Sequence, residues 1–295
     1  MIKKISYELN PPKIVIGDYF DAMRLNQELQ ILLNRSSELI NLVNGGGIHL
    51  TDSVLGIPRV SSVTAASYIK KNARDGNRLK LSCSVRTRDR NFTSLCQFVT
   101  DAILIGVESL LILKGDEPPP PTLPPTPAAA AKEEKEEDED NDGSRRQEVR
   151  VLQKKSSSSS GLKPTSILSI LNDKKYNKSI HLNLSVPNKI YDKSLLEKKI
   201  EAKPYSLVTQ LIASLSDLGE IVDIAKSFKI KVVACMMVPS DKNKQSADII
   251  GLDWKEYEKN PVDFIKDACT LADEVLISSP NSFKEGIDLL RSLRQ

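Results

Sequence analysis

The chain is poor in the raw materials of several functions. Aromatic residues make up 5% of it, with a single Trp, too few for a base-stacking platform or an aromatic ligand cage. Neither sign of charge dominates: 42 Lys and Arg against 39 Asp and Glu leave +3 over 295 residues, which argues against charge-driven binding to nucleic acid. No uncharged apolar run reaches the roughly 18 residues of a membrane span. The opening Met1-Ile2-Lys3-Lys4-Ile5 reads as a strand start and not as a secretory leader. A cytoplasmic protein with no membrane partner is therefore expected. The four cysteines, Cys83, Cys96, Cys235 and Cys269, contain no Cys-x-x-Cys and have only His49 and His181 to join them, so reduced thiols are expected and a metal site is not. Absent too are a phosphate-binding P-loop, a His-Glu-x-x-His and a Ser-His-Asp set.

One segment belongs to no core. Residues 118–160 hold seven of the 16 prolines, then an acidic run, then five serines. With almost nothing apolar to offset the entropy of ordering, this stretch reads as a disordered insertion, either a solvated spacer or a docking tail. Residues 1–117 and 161–295 remain as one domain of 252 residues, and because the insertion carries nine acids and seven bases, that domain stands at +5.

Its pattern alternates short β-branched or apolar runs with longer amphipathic ones. Strands are expected at 5–9, 47–51, 79–85, 109–114, 180–186, 207–212, 231–238 and 274–278, with helices between and after them. Leu110-Leu111-Ile112-Leu113 and Val232 through Met237 are near-continuous apolar runs, as in parallel strands covered on both faces. Eight strand-helix units in about 250 residues fit an α/β protein of the (β/α)8 TIM-barrel class. An open doubly wound sheet is the alternative, but no Gly-x-Gly-x-x-Gly follows the first strand and Gly45-Gly46-Gly47 leads into a strand.

Such barrels work at the carboxyl ends of their strands. The residues placed there are Glu8, Thr51 with Asp52, Arg86 with Arg88 and Asp89, Lys114-Gly115-Asp116, Gln210 and Asn281. A carboxyl like Glu8 at an apolar mouth is desolvated and suited to general acid work, or else it is ion-paired at the rim. Gly115 admits a planar ligand close to the backbone and Asp116 would tune a flavin beside it, or the pair is a turn. Arg86, Arg88 and Arg90 could grip a phosphate or carboxylate, or form a solvated loop. Lys198 and Lys199 fall on a helix after the fifth strand, where a charge pair also serves as the wet face.

Ser6-Tyr7-Glu8-Leu9-Asn10-Pro11-Pro12 with Leu113-Lys114-Gly115-Asp116-Glu117-Pro118 resembles the methylenetetrahydrofolate reductase family. Leu81-Ser82-Cys83, the lysine-bearing stretch from Asp192 to Ala202, and Thr209-Gln210 extend the resemblance over the whole barrel apart from the insertion. It implies reduction of 5,10-methylenetetrahydrofolate, or a related C1-carrying pterin, to the 5-methyl form, with FAD as cofactor and NADH or NADPH as hydride donor. Glu8 would be the general acid and would contact the substrate together with Gln210. Asp116 would act beside the flavin, with Thr51, Lys80, Leu113, Lys114 and Gly115 lining it and Asp192, Lys198 and Lys199 holding its ribityl and phosphate parts. No metal and no nucleic acid enter. A homo-oligomer or a partner subunit is compatible, and a flavin-poor barrel subunit is the other role the resemblance allows. The sequence departs from the family where Lys80 replaces a His and Lys114 an Arg.

Overall fold

The computed structural model describes residues 4–14, 21–43, 45–74, 76, 79–116 and 162–295. The insertion expected at 118–160 lies outside the described residues. Eight strands, β1 (Lys4–Leu9), β2 (Gly45–Leu50), β3 (Leu81–Arg86), β4 (Ser109–Leu113), β5 (His181–Val186), β6 (Ser206–Leu211), β7 (Lys231–Met237) and β8 (Glu274–Ser278), close into a barrel in sequence order. Every neighbouring pair is parallel, including β1 with β8. Around it run α1 (Ala22–Leu39), α2 (Ser62–Asn72), α3 (Phe92–Ile105), α4 (Pro164–Asp173), α5 (Lys193–Glu201), α6 (Leu215–Ser227), α7 (Asp241–Ile250), α8 (Pro261–Leu271) and α9 (Phe283–Ser292). Asp21, Ser61, Asn91, Asp192, Ser214, Ser240, Asn260 and Ser282 each cap the following helix by accepting a backbone N–H. α4 starts on Pro164 instead, whose missing N–H would be an orphan there anyway.

The barrel's two faces differ in chemistry. Ile5, Tyr7, Leu9, Ile48, Leu50, Leu81, Cys83 and Val85 face the helices and are all buried. The alternate positions, Ser6, His49, Ser82, Ser84, Asn183 and Ser206, turn into the barrel, so β3 (LSCSVR) and β5 (HLNLSV) alternate strictly and only β4 and β7 approach the unbroken apolar run expected. β2 starts two residues earlier than expected. Gly46 and Gly47 lie inside it because neighbouring strands pass too close for a side chain: a Cβ on Gly46 would sit 2.6 Å from Ser6 Oγ, and one on Gly47 2.5 Å from the Lys80 carbonyl oxygen. α7 is a ninth helix that the apolar pattern does not announce, since it buries only Asn243 and Ala247.

Candidate functional site

After β1 the chain runs through Pro11 and Pro12, whose fixed φ favours extended backbone. It pairs antiparallel with the loop after β2: Lys13 bridges Arg59, Ile14 N–H donates to the Pro58 carbonyl and Val60 N–H to that of Pro12, each at 2.9 Å. This ladder carries Arg59 over the barrel mouth, where its Nη1 donates to the Pro11 carbonyl at 2.8 Å. Below it, Glu8 points into the barrel and accepts a hydrogen bond from Ser278 Oγ at 2.7 Å. Burial raises the Glu8 pKa, while the Ser278 hydroxyl and the nearby Arg59 guanidinium pull it down. Thr51 joins β2 to β1 by donating to Asn10 Oδ1 at 2.7 Å.

Glu8 opens onto a cavity of about 630 Å³ at the carboxyl ends of the strands. Its wall combines apolar surface from Leu25, Ile57, Leu211 and Met237 with the guanidinium-bearing Arg24, Arg35 and Arg59. Asn281, expected on this rim, lines it as well. This is a concave pocket of mixed lining, in which apolar surface alternates with polar and charged side chains, Asp21 and Glu28 beside the arginines, around one perturbed carboxyl, and such a combination marks a candidate small-molecule site. The three arginines were not legible as site residues, because Arg24 and Arg35 lie on α1 and Arg59 on a loop, none at a strand end.

The remaining expected site residues are placed elsewhere. Asp116 sits at the same end of the barrel, but its Oδ2 accepts the Leu55 N–H at 2.9 Å and its carbonyl accepts Arg86 Nη2 at 2.6 Å. Arg86, 3% exposed, also donates to the Ser53 carbonyl at 2.6 Å and pairs with Asp89 at 2.8 Å. It ties the loops after β2 and β4 together and does not project toward a ligand. Asp52 accepts the Arg86 backbone N–H and pairs with Arg90 at 3.5 Å. Gly115 has φ +87°, and a Cβ there would stand 2.9 Å from Arg86 Cγ and closer still to its Nε. The glycine is thus needed for the arginine, not for a planar ligand. Leu113 ends β4, Lys114 is exposed, and the Lys114 carbonyl accepts the Arg88 N–H at 3.0 Å.

Asp192 caps α5 through the Ser194 N–H at 2.8 Å, and hydrogen bonding from the Ser194 hydroxyl and then its backbone N–H holds the Asp192 pKa low. Lys199 Nζ donates to the Ser185 carbonyl at 2.7 Å, with its pKa lowered by burial, while Lys198 is exposed. At the irregular step after Val208 in β6, Leu211 lines the cavity and Gln210 is exposed. Lys80 requires a correction: it precedes β3 and donates to the Gly45 carbonyl at 3.2 Å, so it lies at the amino mouth, the opposite end from Glu8 and Asp116. Flavin does not fit this set of residues. The face of Gly115 is filled by Arg86, the polar groups of Thr51, Asp116, Asp192 and Lys199 are engaged within the protein, and Lys80 is out of reach.

No protein-family model matches the sequence, and no curated relative matches it. Among solved structures the chain is similar to deoxyribose phosphate aldolase from Aeropyrum pernix, at 10% identity and a TM-score of 0.53, over 99% of this chain and 89% of that one. It is similar to a mutant tryptophan synthase alpha-subunit from Pyrococcus furiosus, at 11% identity and a TM-score of 0.51, over 100% and 98%. QR15, an aldolase, matches at 13% identity and a TM-score of 0.50, over 98% and 93%. Likeness at these identities is likeness of fold, and together with the closed parallel sheet it makes the chain a (β/α)8 barrel.

Proposed function

We propose that the cavity at the carboxyl mouth binds a folate-type pterin carrying a one-carbon unit, and that Glu8 is the acid in its reduction by NADH or NADPH. The observation that carries this reading is the Glu8 carboxyl, its pKa raised by burial, at the base of a 630 Å³ cavity with arginines on the wall. A carboxyl whose pKa is raised by desolvation keeps its proton to higher pH than an ordinary one and is better suited to general acid work.

The division of labour follows from the wall. Leu25, Ile57 and Met237 offer apolar surface to a flat ring system, and Arg24, Arg35 and Arg59 match the carboxylates of a glutamate-bearing tail. Ser278 orients the acid through its hydrogen bond. Glu8 gives its proton to the bridging nitrogen of the methylene group, the five-membered ring opens to an iminium, and hydride from the reduced nicotinamide converts that carbon to a methyl. Glu8 then regains a proton from water. The resemblance to the methylenetetrahydrofolate reductases supplies the substrate class. FAD is where this reading departs from it, since the residues it would need are otherwise engaged.

The same engagement favours a second reading, a barrel subunit that binds the pterin without reducing it. Incubating the protein with NADH or NADPH and 5,10-methylenetetrahydrofolate, with and without added FAD, and following nicotinamide oxidation and the 5-methyl product separates the two. The proposal expects product without added FAD from a colourless protein. Pterin binding with no product supports the second reading, and no binding at all rejects both.

A further inference from the structure

The amino-terminal half of the barrel holds a second cavity, of about 220 Å³, which shares no lining residue with the one above Glu8. Barrel interiors are ordinarily filled by layers of bulky branched side chains. Here the inward positions include Ser6, Ser82 and Ser206 beside His49 and Asn183, and the short serine side chains leave the space open. Its wall has two textures: these hydroxyl, amide and imidazole groups on one part, and Leu111, Val208, Val233 and Leu276 on another.

Several polar groups in it have capacity to spare. Asn183, 8% exposed, spends its Oδ1 on the Ser206 hydroxyl at 2.9 Å, and its amide nitrogen has no partner among the described residues. The Ser109 hydroxyl has none either. His49 is bracketed by Ser82 Oγ and Ser84 Oγ, each at 2.8 Å. In a neutral ring one nitrogen donates and the other accepts, so one of the two serines keeps its own O–H for another acceptor, and of the two it is Ser82 that lines the cavity.

Charge at the mouth is balanced, with Lys4, Lys80 and Lys231 against Glu108, Asp273 and Glu274. Much of it is already committed: Lys80 to the Gly45 carbonyl, Lys231 to the Tyr205 hydroxyl at 2.8 Å, and Glu274 to Ser6. His181 and Tyr205 stack at the rim, with ring centroids 3.7 Å apart. Nothing here selects an ion, whereas free hydroxyl and amide groups facing aliphatic side chains suit a molecule with hydroxylated edges and a C–H face. At roughly 30 Å³ per water in the liquid, the space matches a compact molecule and not a nucleotide.

We propose that this cavity is a binding site for a small neutral polyhydroxy compound, a short linear polyol or a pentose-sized sugar. His49 and His181 are the only histidines in the chain and both line it, so imidazole nitrogen NMR reports on it without interference. Titrating ribitol into the full-length protein should shift the His49 resonances saturably, while inorganic phosphate leaves them in place. Ser109→Leu, which fills the space, should weaken ribitol about tenfold or more, and Ser109→Val serves if the leucine does not fold. A shift that is absent or never saturates in the wild-type protein overturns the proposal, as does saturation by phosphate with ribitol silent. Neither outcome depends on what binds above Glu8.

Discussion

Replacing Arg86 by alanine tests how the working mouth of the barrel is held. The guanidinium makes charge-assisted hydrogen bonds to the Ser53 and Asp116 carbonyls, both at 2.6 Å, each worth roughly 1.5–3 kcal/mol. Its pairing with Asp89, a carboxylate 50% exposed, adds less than about 1 kcal/mol. The expected loss is about 3 kcal/mol or more, which for a domain of this size lowers Tm by roughly 6–12 °C. Thermal unfolding followed by circular dichroism or calorimetry reads it directly. Gly115→Ala should also destabilise, through φ +87° and through the clash with Arg86. In the Arg86→Ala background only the backbone part remains, so the two changes couple, by about 0.5–3 kcal/mol. An Arg86→Ala protein that melts within 2 °C of wild type, within roughly 1 kcal/mol, or a strictly additive double variant, would refute the view that this arginine clamps the two loops.

Other predictions concern titration and position. Burial lowers the His49 pKa to about 4, so protonation favours the unfolded chain and stability falls as pH drops from about 6.5 toward 4, by of order 3 kcal/mol; urea unfolding of His49→Gln across that range should be flatter than wild type. Glu8 carries the opposite sign. Its raised pKa means that the ionised form costs stability above the unfolded value, so Glu8→Gln should unfold at higher urea than wild type at pH 8, a gain that shrinks as the pH falls toward 4.5. Lys80→Ala should leave pterin binding unchanged and stability within about 0.5 kcal/mol, measured by fluorescence titration and urea unfolding; a lost pterin affinity would return Lys80 to the site.

Much of the architecture could be read from the chain because the relevant signals are local. Strand ends named Glu8 and Asn281, and the capping side chains are visible as Ser, Asp or Asn ahead of every described α-helix but α4. α7 escaped because Asp241-Lys242-Asn243-Lys244 has no apolar face to mark a helix. Lys80 shows the limit of carrying a role over by resemblance: its place at the start of a strand already set it at the amino mouth. The arginine wall was invisible for a different reason. α1 and the ladder between Lys13 and Arg59 bring it together only in three dimensions. The serines and His49 inside the barrel were present as alternation in β2 and β3, but alternation alone does not distinguish an interior cavity from a solvated face.

In the proposed reaction Glu8 protonates a one-carbon pterin in the carboxyl-mouth cavity. The most direct test of this step compares wild type with Glu8→Gln for both 5,10-methylenetetrahydrofolate affinity and NADH- or NADPH-dependent formation of the 5-methyl product. Affinity should stay within a few fold while turnover falls by roughly 10²–10⁴. Turnover that survives the substitution, or a wild-type protein that does not bind the pterin, would contradict it.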